Sequence, residues 1–396
     1  MNYKNVSIPD LIFIVVLAFM LLVPASKINL SNKTSVENRT LAKPAAFIKD
    51  DIINQNYGYD FNKWFSDRFN QRAQLIYLDT VLRCFPNIKF CTRNNITYDK
   101  KNKIFYTPSI FGMGSIKDDK AEKLDIYVSN LQKFSDYCKK NKINLYLLIV
   151  PRRADFVKFN TPEKSKKEDF ALELIDYLRK NTDVNIIFPY NEMQEANMTT
   201  PVYYKTDHHW TDAGAYVGYQ ALMKEIKKSY PDIKILSEND FNKYYDKRVK
   251  AIFKTEFNNG KLLRQFYVFS EYHTNLLDTD FLFYEHKDKN NLLIKNDSNL
   301  PNFNKETDNE IYYSKGYDKK ILIIGDSFTG LLFKFVPYTF KHTVGYSDNF
   351  RYLIFDEYKE LINTYKPDII VLNMRSFYLY SLLNLYPNKF SREVDY

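Results

Sequence analysis

Short apolar runs alternate with helical patterns along most of the chain, and this alternation constrains the fold more than any other feature. Buried strands are predicted for the runs at 143–150, 184–188, 320–324 and 368–372. Helices are predicted at 57–85, 117–141, 168–180, 212–230 and 356–365, and from about residue 330. Helical crossovers between buried apolar strands indicate a mostly parallel sheet covered on both faces. The sequence therefore predicts an α/β fold, in which ligands lie at the carboxyl ends of strands.

Composition excludes several other classes of protein. Of the 396 residues, 45% are apolar and 27% are charged, which is typical of a globular chain rather than of bulk disorder or a polytopic membrane protein. The net charge of +9 is spread along the sequence. This charge indicates a solvated surface, or attraction to an anionic polymer or lipid, and it does not indicate nucleic acid as a partner.

The first 30 residues read as a targeting segment. An uncharged run of 13 residues extends from Leu11 to Val23, with Lys4 before it. A signal-peptide core needs about 7 to 15 apolar residues and a membrane span about 20. Two alternatives remain open. The segment is either a signal peptide that is cleaved with Val23 and Ala25 at the −3 and −1 positions, or an uncleaved single anchor over 6–26. Either alternative places the rest of the chain outside the cytoplasm. Residues 31–396 are then predicted to form one α/β domain, with a β-rich, loop-containing insertion at about 231–318.

The three cysteines do not predict a metal site or a redox centre. Cys84, Cys91 and Cys138 form no CxxC motif and lack zinc-ligand spacing. Cys84 and Cys91 enclose a short loop and could form a disulfide. Simple buried thiols are the alternative. No cofactor is predicted.

Two polar clusters lie in predicted loops that lead into helices. One contains Asp207, His208 and His209, and the other is Gly325-Asp326-Ser327 directly after a buried strand. A serine on a tight strand-to-helix turn has backbone N–H groups beside it that can stabilise an oxyanion. Such a serine needs a histidine to take its proton and a carboxylate to hold that histidine. The two clusters together therefore favour a hydrolase-like triad over the alternatives, which are an ordinary turn and a metal-binding His pair.

The segment from Thr206 to Ala215, which includes Asp-His-His-Trp, resembles the signature of the DHHW family. That family is related to the alginate O-acetyltransferases of the SGNH-hydrolase-like group, whose equivalent motif reads Asp-x-His-Trp-Thr-x-x-Gly. Further resemblances to this group occur at 37–41, 64–69 with Arg72, 149–151 and 325–328. Arg152 and Arg153 follow Pro151 where the family often has Pro-x-Lys, which leaves their role open.

The resemblance implies an SGNH-hydrolase-like fold with Ser327 as nucleophile, His209 as general base and Asp207 as its partner. The order Asp207, His209, Ser327 resembles the permuted motif order of the alginate-type transferases. The Ser327 backbone amide is the expected oxyanion donor. Additional oxyanion or substrate contacts are expected among five side chains: Arg351, Asn373, Arg375, Trp210 and His208. For Arg351, Asn373 and Arg375 the alternative is that they are ordinary polar residues at the surface.

The function implied by the resemblance is O-acetyl transfer to an extracytoplasmic polysaccharide through a seryl-acyl intermediate. Because acetyl-CoA is cytoplasmic, the resemblance also implies a membrane-bound O-acyltransferase as donor partner. Two alternatives remain open at this point. One is a carbohydrate esterase that uses the same triad, and the other is a non-catalytic polysaccharide-binding assembly protein.

Overall fold

The computed structural model describes residues 7–25, 28–30, 33–34, 39–49, 51–69, 72, 75–76, 79, 90–93, 96–99, 104–106, 120–157, 170–204, 208–244, 282–296, 310–347 and 355–385. The chain forms two compact units. The smaller unit combines residues 1–105 with 252–276, and the larger combines residues 106–251 with 277–396. The predicted boundary at residue 30 and the predicted insertion at about 231–318 stay predictions.

Helices and short antiparallel strands make up the described part of the smaller unit. The helices are α1 (Ile8–Ala25) and α2 (Tyr57–Arg68). The paired strands are β1 (Lys33–Thr34) with β2 (Arg39–Thr40), and β3 (Ile48–Lys49) with β4 (Ile52–Ile53). A three-stranded sheet contains β5 (Phe90–Arg93), β6 (Ile96–Asp99) and β7 (Ile104–Tyr106), the last at the boundary between the units. In the described part of the chain, no helix combines the length and the apolar character needed to cross a bilayer.

Polar side chains at the end of α2 hold the segment that precedes the helix. The Asp67 carboxylate accepts a hydrogen bond from the Ala42 N–H at 2.8 Å, and Arg68 donates to the carbonyls of Ala42 and Asn29 at 2.9 and 2.8 Å. Asp67 and Arg68 are both buried. Because buried charged groups need such partners, these two residues fix the path of the chain around α2. They lie in the 64–69 segment that resembles the alginate-type transferases.

A seven-stranded sheet forms the centre of the larger unit. In spatial order its strands are β12 (Leu292–Asn296), β13 (Glu310–Ser314), β15 (Phe340–Ser347), β14 (Tyr317–Gly325), β16 (Ile369–Arg375), β8 (Asn144–Val150) and β9 (Asn185–Ile187). The five strands from β15 to β9 are parallel, and β12 and β13 extend the sheet antiparallel at one edge. A separate antiparallel pair consists of β10 (Phe241–Tyr244) and β11 (Phe283–His286).

Helices cover both faces of this sheet. They are α3 (Lys120–Lys140), α4 (Phe170–Asn181), α5 (Tyr190–Asn197), α6 (Asp212–Ser229), α7 (Thr329–Leu332), α8 (Val336–Thr339) and α9 (Phe355–Tyr365). Short 3-10 helices occur at Arg153–Asp155, Glu238–Asp240, Lys289–Asn291 and Ser376–Asn384.

Successive residues of the central strands enter opposite cores, as strand geometry requires. On β14, Leu322 and Ile324 pack with α3, α4 and α9, whereas Ile321 and Ile323 pack with α5 and α6. Burial on both faces explains why these strands are continuous apolar runs in the sequence. The predicted α/β fold with a mostly parallel, helix-covered sheet is confirmed.

Several features differ from the sequence expectation. Strand β15 and helix α5 were not predicted, and α7 is a single turn. Strands β12 and β13 arise from the predicted insertion and join the central sheet. Cys138 is a buried free thiol, and burial raises its pKa to about 12. Cys84 lies outside the described residues.

Replacing Leu174 with alanine should destabilise the larger unit more than replacing Leu172, which lies on the same helix. Leu174 is fully buried in the core beneath α4, whereas Leu172 is 42% exposed. Truncating a buried leucine costs about 2–5 kcal/mol of the free energy of unfolding, and a surface truncation roughly 0.5 kcal/mol or less. Urea unfolding followed by circular dichroism measures both variants. Equal losses would contradict the packing of α4 against the sheet.

Candidate active site

Ser327 lies on the turn that follows strand β14. The turn is closed by a hydrogen bond from the Thr329 N–H to the Asp326 carbonyl at 2.9 Å. The Asp326 N–H donates to the Asn373 carbonyl of the neighbouring strand β16 at 3.2 Å. A Cβ atom on Gly325 would overlap Thr329 Oγ1 and the Asn373 carbonyl, so only glycine fits at the end of β14. These contacts leave Ser327 half-buried at the carboxyl end of the central strands.

The Asp326 side chain turns inward and binds backbone groups on two segments. Its carboxylate accepts the Phe328 N–H and the Arg375 N–H, each at 3.0 Å. Complete burial raises the pKa of this carboxyl above its ordinary value of 3.8, against the opposing effect of the Arg375 N–H and guanidinium. Asp326 therefore joins the Ser327 turn to the end of β16 and is itself out of contact with solvent.

His209 is carried by a short loop whose ends are pinned together. The Tyr204 N–H donates to the His209 carbonyl at 3.2 Å, and the Thr211 N–H donates to the Val202 carbonyl at 2.9 Å. Thr211 then caps α6, because its hydroxyl accepts the Gly214 N–H at 3.2 Å. His209 therefore lies two residues before the N-cap of α6, with its backbone fixed on both sides.

Trp210 joins the histidine loop directly to the serine turn. Its indole N–H donates to the Phe328 carbonyl at 3.0 Å, and the side chain is fully buried. The indole lies against Gly218 of α6, where a Cβ atom would lie 2.7 Å from the ring. A Cβ atom on Gly214 would overlap the Val202 carbonyl oxygen and lie 3.0 Å from the Trp210 Cβ atom. Gly218 therefore makes room for the indole, and Gly214 lets the chain at Val202 and Trp210 approach the helix.

The two loops bring His209 and Ser327 into contact across 118 residues of sequence. His209 Nε2 lies 2.7 Å from Ser327 Oγ. The imidazole is 3% exposed, with the His208 ring at 3.9 Å and the Phe328 ring at 4.7 Å between centroids. A distance of about 2.6–3.2 Å between a hydroxyl and an imidazole nitrogen is the geometry in which histidine can take the serine proton.

The structure describes some of the other predicted site residues and leaves others undescribed. Asp207 and Arg351 lie outside the described residues. Asn373 is buried, and its amide donates to Thr329 Oγ1 at 2.9 Å. The Arg375 guanidinium lies 4.3 Å from the Tyr378 ring and 6.0 Å from the Phe328 ring. His208 is half-buried beside His209. The roles in oxyanion and substrate binding stay predictions for these side chains and for Trp210.

Arg153, whose role is open from the sequence alone, also supports the histidine loop. It follows strand β8 at the same edge of the sheet, is buried, and donates through Nε to the Tyr204 carbonyl at 2.7 Å. Arg152 instead forms an ion pair with Asp155 at 2.9 Å. The position of Arg153 directly after a buried strand is the sequence feature that could have indicated a contact with the histidine loop. Within the described ranges, no group of three or more His, Cys, Asp or Glu side chains is arranged to hold a metal ion.

Comparisons with known proteins agree with this architecture. Residues 113–265 match the family model described as ALGX, the SGNH hydrolase-like domain of acetyltransferase AlgX. The match includes His209, whereas Ser327 lies beyond it. Among solved structures, a DHHW family protein from Eubacterium siraeum is similar to this chain at 14% sequence identity, with 76% of this chain and 99% of that chain covered and a TM-score of 0.51. None of the curated proteins matches the sequence.

Two further solved structures have lower TM-scores. PatB1 of Bacillus cereus shares 15% identity over 73% of this chain and 96% of that chain, with a TM-score of 0.46. The O-acetyltransferase domain of Pseudomonas putida AlgJ shares 15% identity over 72% of this chain and 92% of that chain, with a TM-score of 0.45. The family match over residues 113–265 and the likeness to the Eubacterium siraeum protein show that the fold is SGNH-hydrolase-like. The resemblance to the DHHW and alginate acetyltransferase group, predicted from the sequence, is confirmed.

Replacing Trp210 with phenylalanine should destabilise the chain by roughly 2 kcal/mol, because it removes the donor to the buried Phe328 carbonyl and leaves a cavity. The matched control is Trp64→Phe, at the half-buried tryptophan of α2. Urea unfolding followed by circular dichroism measures both losses. The bridging role of Trp210 would be contradicted if its variant lost no more stability than the control.

Stability should depend on pH through Asp326, and Asp326→Asn should remove this dependence. As the pH falls from neutral, the folded chain binds a proton at Asp326 before the unfolded chain does, because burial raises the pKa only in the folded state. The contribution of Asp326 to the free energy of unfolding therefore increases as the pH falls toward 3.8 and decreases as the pH rises. Urea unfolding of both proteins between about pH 4 and 7 measures the difference. A difference that is constant over this range would contradict the raised pKa.

Proposed function

We propose that this chain is a serine-dependent O-acyltransferase, specifically an O-acetyltransferase, that modifies an extracytoplasmic polysaccharide. The observation that carries the proposal is the 2.7 Å contact between His209 Nε2 and Ser327 Oγ, at the carboxyl ends of parallel strands in an SGNH-hydrolase-like fold. The match of residues 113–265 to the acetyltransferase AlgX domain supports acyl transfer as the reaction class.

The proposed reaction has two acyl-transfer steps, and the same imidazole moves the protons in both. His209 takes the Ser327 proton as Oγ attacks the acyl carbonyl of the donor, and the protonated imidazole then returns this proton to the leaving group. This gives an acyl-serine and the released donor alcohol or thiol. A sugar hydroxyl next loses its proton to His209 and attacks the acyl-serine carbonyl. The bond from that carbonyl to Ser327 Oγ breaks, and the protonated imidazole returns the proton to Oγ. The acyl group is now on the sugar, and Ser327 and His209 are restored. No cofactor is needed for either step.

Asp207 is proposed to orient His209, because the Asp-x-His spacing of the motif selects this pair. The tetrahedral intermediates carry an oxyanion, for which the Ser327 backbone amide is the proposed main donor. The Phe328 N–H is already bonded to the Asp326 carboxylate at 3.0 Å, so it is not assigned to this role. Arg375 is the proposed source of additional positive charge, because it is half-buried and lies beside Phe328 on the serine turn.

The proposed location is outside the cytoplasm, with residues 1–30 as signal peptide or membrane anchor. Large apolar residues of α1 such as Phe13, Val15 and Phe19 are 66, 59 and 66% exposed, which supports a targeting segment, although the described helix is not long and apolar enough to cross a bilayer. Acetyl-CoA is confined to the cytoplasm, so the proposal includes a membrane-bound O-acyltransferase that delivers the acyl group.

Ser327 should react covalently with phenylmethylsulfonyl fluoride, and mass spectrometry of the digested protein should place the adduct on this serine. Ser327→Ala should abolish the adduct and lower turnover of a model acetyl ester by at least about 1000-fold. His209→Gln should slow both, because the proton acceptor is lost. The matched control is Ser314→Ala, at a half-buried serine that donates to the Phe340 carbonyl at 2.8 Å, and it should behave as wild type.

The acceptor dependence of the same assay separates transfer from hydrolysis. Acetylated oligosaccharide should accumulate when an acceptor oligosaccharide is added to the wild-type protein and the acetyl ester. Acetate release that is unaffected by the acceptor, with no acetylated sugar, would identify an esterase instead. An unreactive Ser327 would contradict the enzymatic proposal altogether.

A further inference from the structure

An ion pair between a fully buried carboxylate and a half-buried lysine connects the histidine side of the site to the serine side. Asp212 is the first residue of α6, three positions after His209, and its carboxylate is fully buried. Asp212 Oδ2 accepts a hydrogen bond from Lys334 Nζ and another, at 2.9 Å, from the Tyr284 N–H of β11. Lys334 lies on the segment that follows Ser327, just after α7. The pair therefore spans 122 residues of sequence and joins the elements that carry the two reacting groups.

The charge of Asp212 is compensated at one oxygen only. Among the described residues, Asp212 Oδ1 has no hydrogen-bond partner. The Lys334 ammonium is thus the main neutralising group, and it also lies 5.3 Å from the centre of the Phe283 ring. A buried carboxylate without its cation is strongly unfavourable. Loss of Lys334 would therefore favour a shift of the first turn of α6 toward water, and His209 lies only three residues before Asp212.

We propose that the Asp212–Lys334 ion pair positions His209 against Ser327, an inference that rests on the proposed function. The pair acts in parallel with the Trp210–Phe328 hydrogen bond, which joins the same two segments close to the reacting atoms. Trp210 fixes the loop beside the imidazole, and the ion pair fixes the helix that follows. Asp212 and Lys334 are positioning residues, because the structure places them against each other and β11 rather than against Ser327.

The test compares the rate at which phenylmethylsulfonyl fluoride labels Ser327 in folded variants, at a temperature well below each unfolding midpoint. Lys334→Met removes the cation and keeps the length of the side chain. It should slow labelling by about 100-fold, the effect of a displacement of about 1 Å in a reacting pair. Lys334→Arg keeps a cation for Asp212 and should restore most of the rate.

The matched control is Lys341→Met, which removes the partner of Asp318 in an exposed ion pair at 3.0 Å. It should label at the wild-type rate. If Lys334→Met does not fold, the double variant Asp212→Asn with Lys334→Met replaces it, because that variant has no unpaired buried charge. It should also label slowly, since the interaction that positions His209 is missing.

The folded Lys334→Met variant or the double variant could have a lower unfolding midpoint and still label at the wild-type rate. That result would show that the pair is purely structural and would overturn the inference. Slow labelling in Lys334→Arg equal to that of Lys334→Met would also overturn it. Failure of the wild-type protein to be labelled at Ser327 is a different result. It would overturn the proposed function, and this inference with it.

Discussion

The position of Ser327 depends on one buried carboxylate. The parallel strands β14 and β16 end side by side, and Asp326 ties the turn after β14 to the end of β16 through the two backbone bonds that it accepts from Phe328 and Arg375. Its burial is unfavourable for the ionised group, as the raised pKa shows. The buried carboxyl nevertheless holds the serine turn against the neighbouring strand through its two hydrogen bonds.

The histidine reaches the same place by a different route. Its loop is held by backbone bonds to Val202 and Tyr204 and by Arg153, and it meets the serine turn through Trp210. None of these contacts uses His209 or Ser327 side-chain atoms. The two side chains therefore remain available to each other, because neighbouring residues supply the attachments. As a result, the half-buried Ser327 lies at hydrogen-bond distance from the nearly fully buried imidazole of His209.

The sequence predicted the parts of the fold that have strong local signals. Strands β8, β14 and β16 are buried on both faces and read as apolar runs, and the histidine motif is specific enough to indicate a family. Strand β15 was missed because Lys341 and His342 interrupt its apolar pattern. It lies between a parallel and an antiparallel neighbour, toward the edge of the sheet. The Asp212–Lys334 pair was missed for another reason: its partners are 122 residues apart, and only the folded chain brings them together.

The fit between Trp210 and Gly218 links two positions that would otherwise vary independently. The indole fills the space that a methyl group on residue 218 would need. A chain of this fold with a smaller ring at the tryptophan position can accommodate alanine on the helix, whereas alanine beside an intact indole would push the helix outward. Substitutions at these two sites should therefore occur in pairs during evolution, with the sum of the two side-chain volumes roughly conserved.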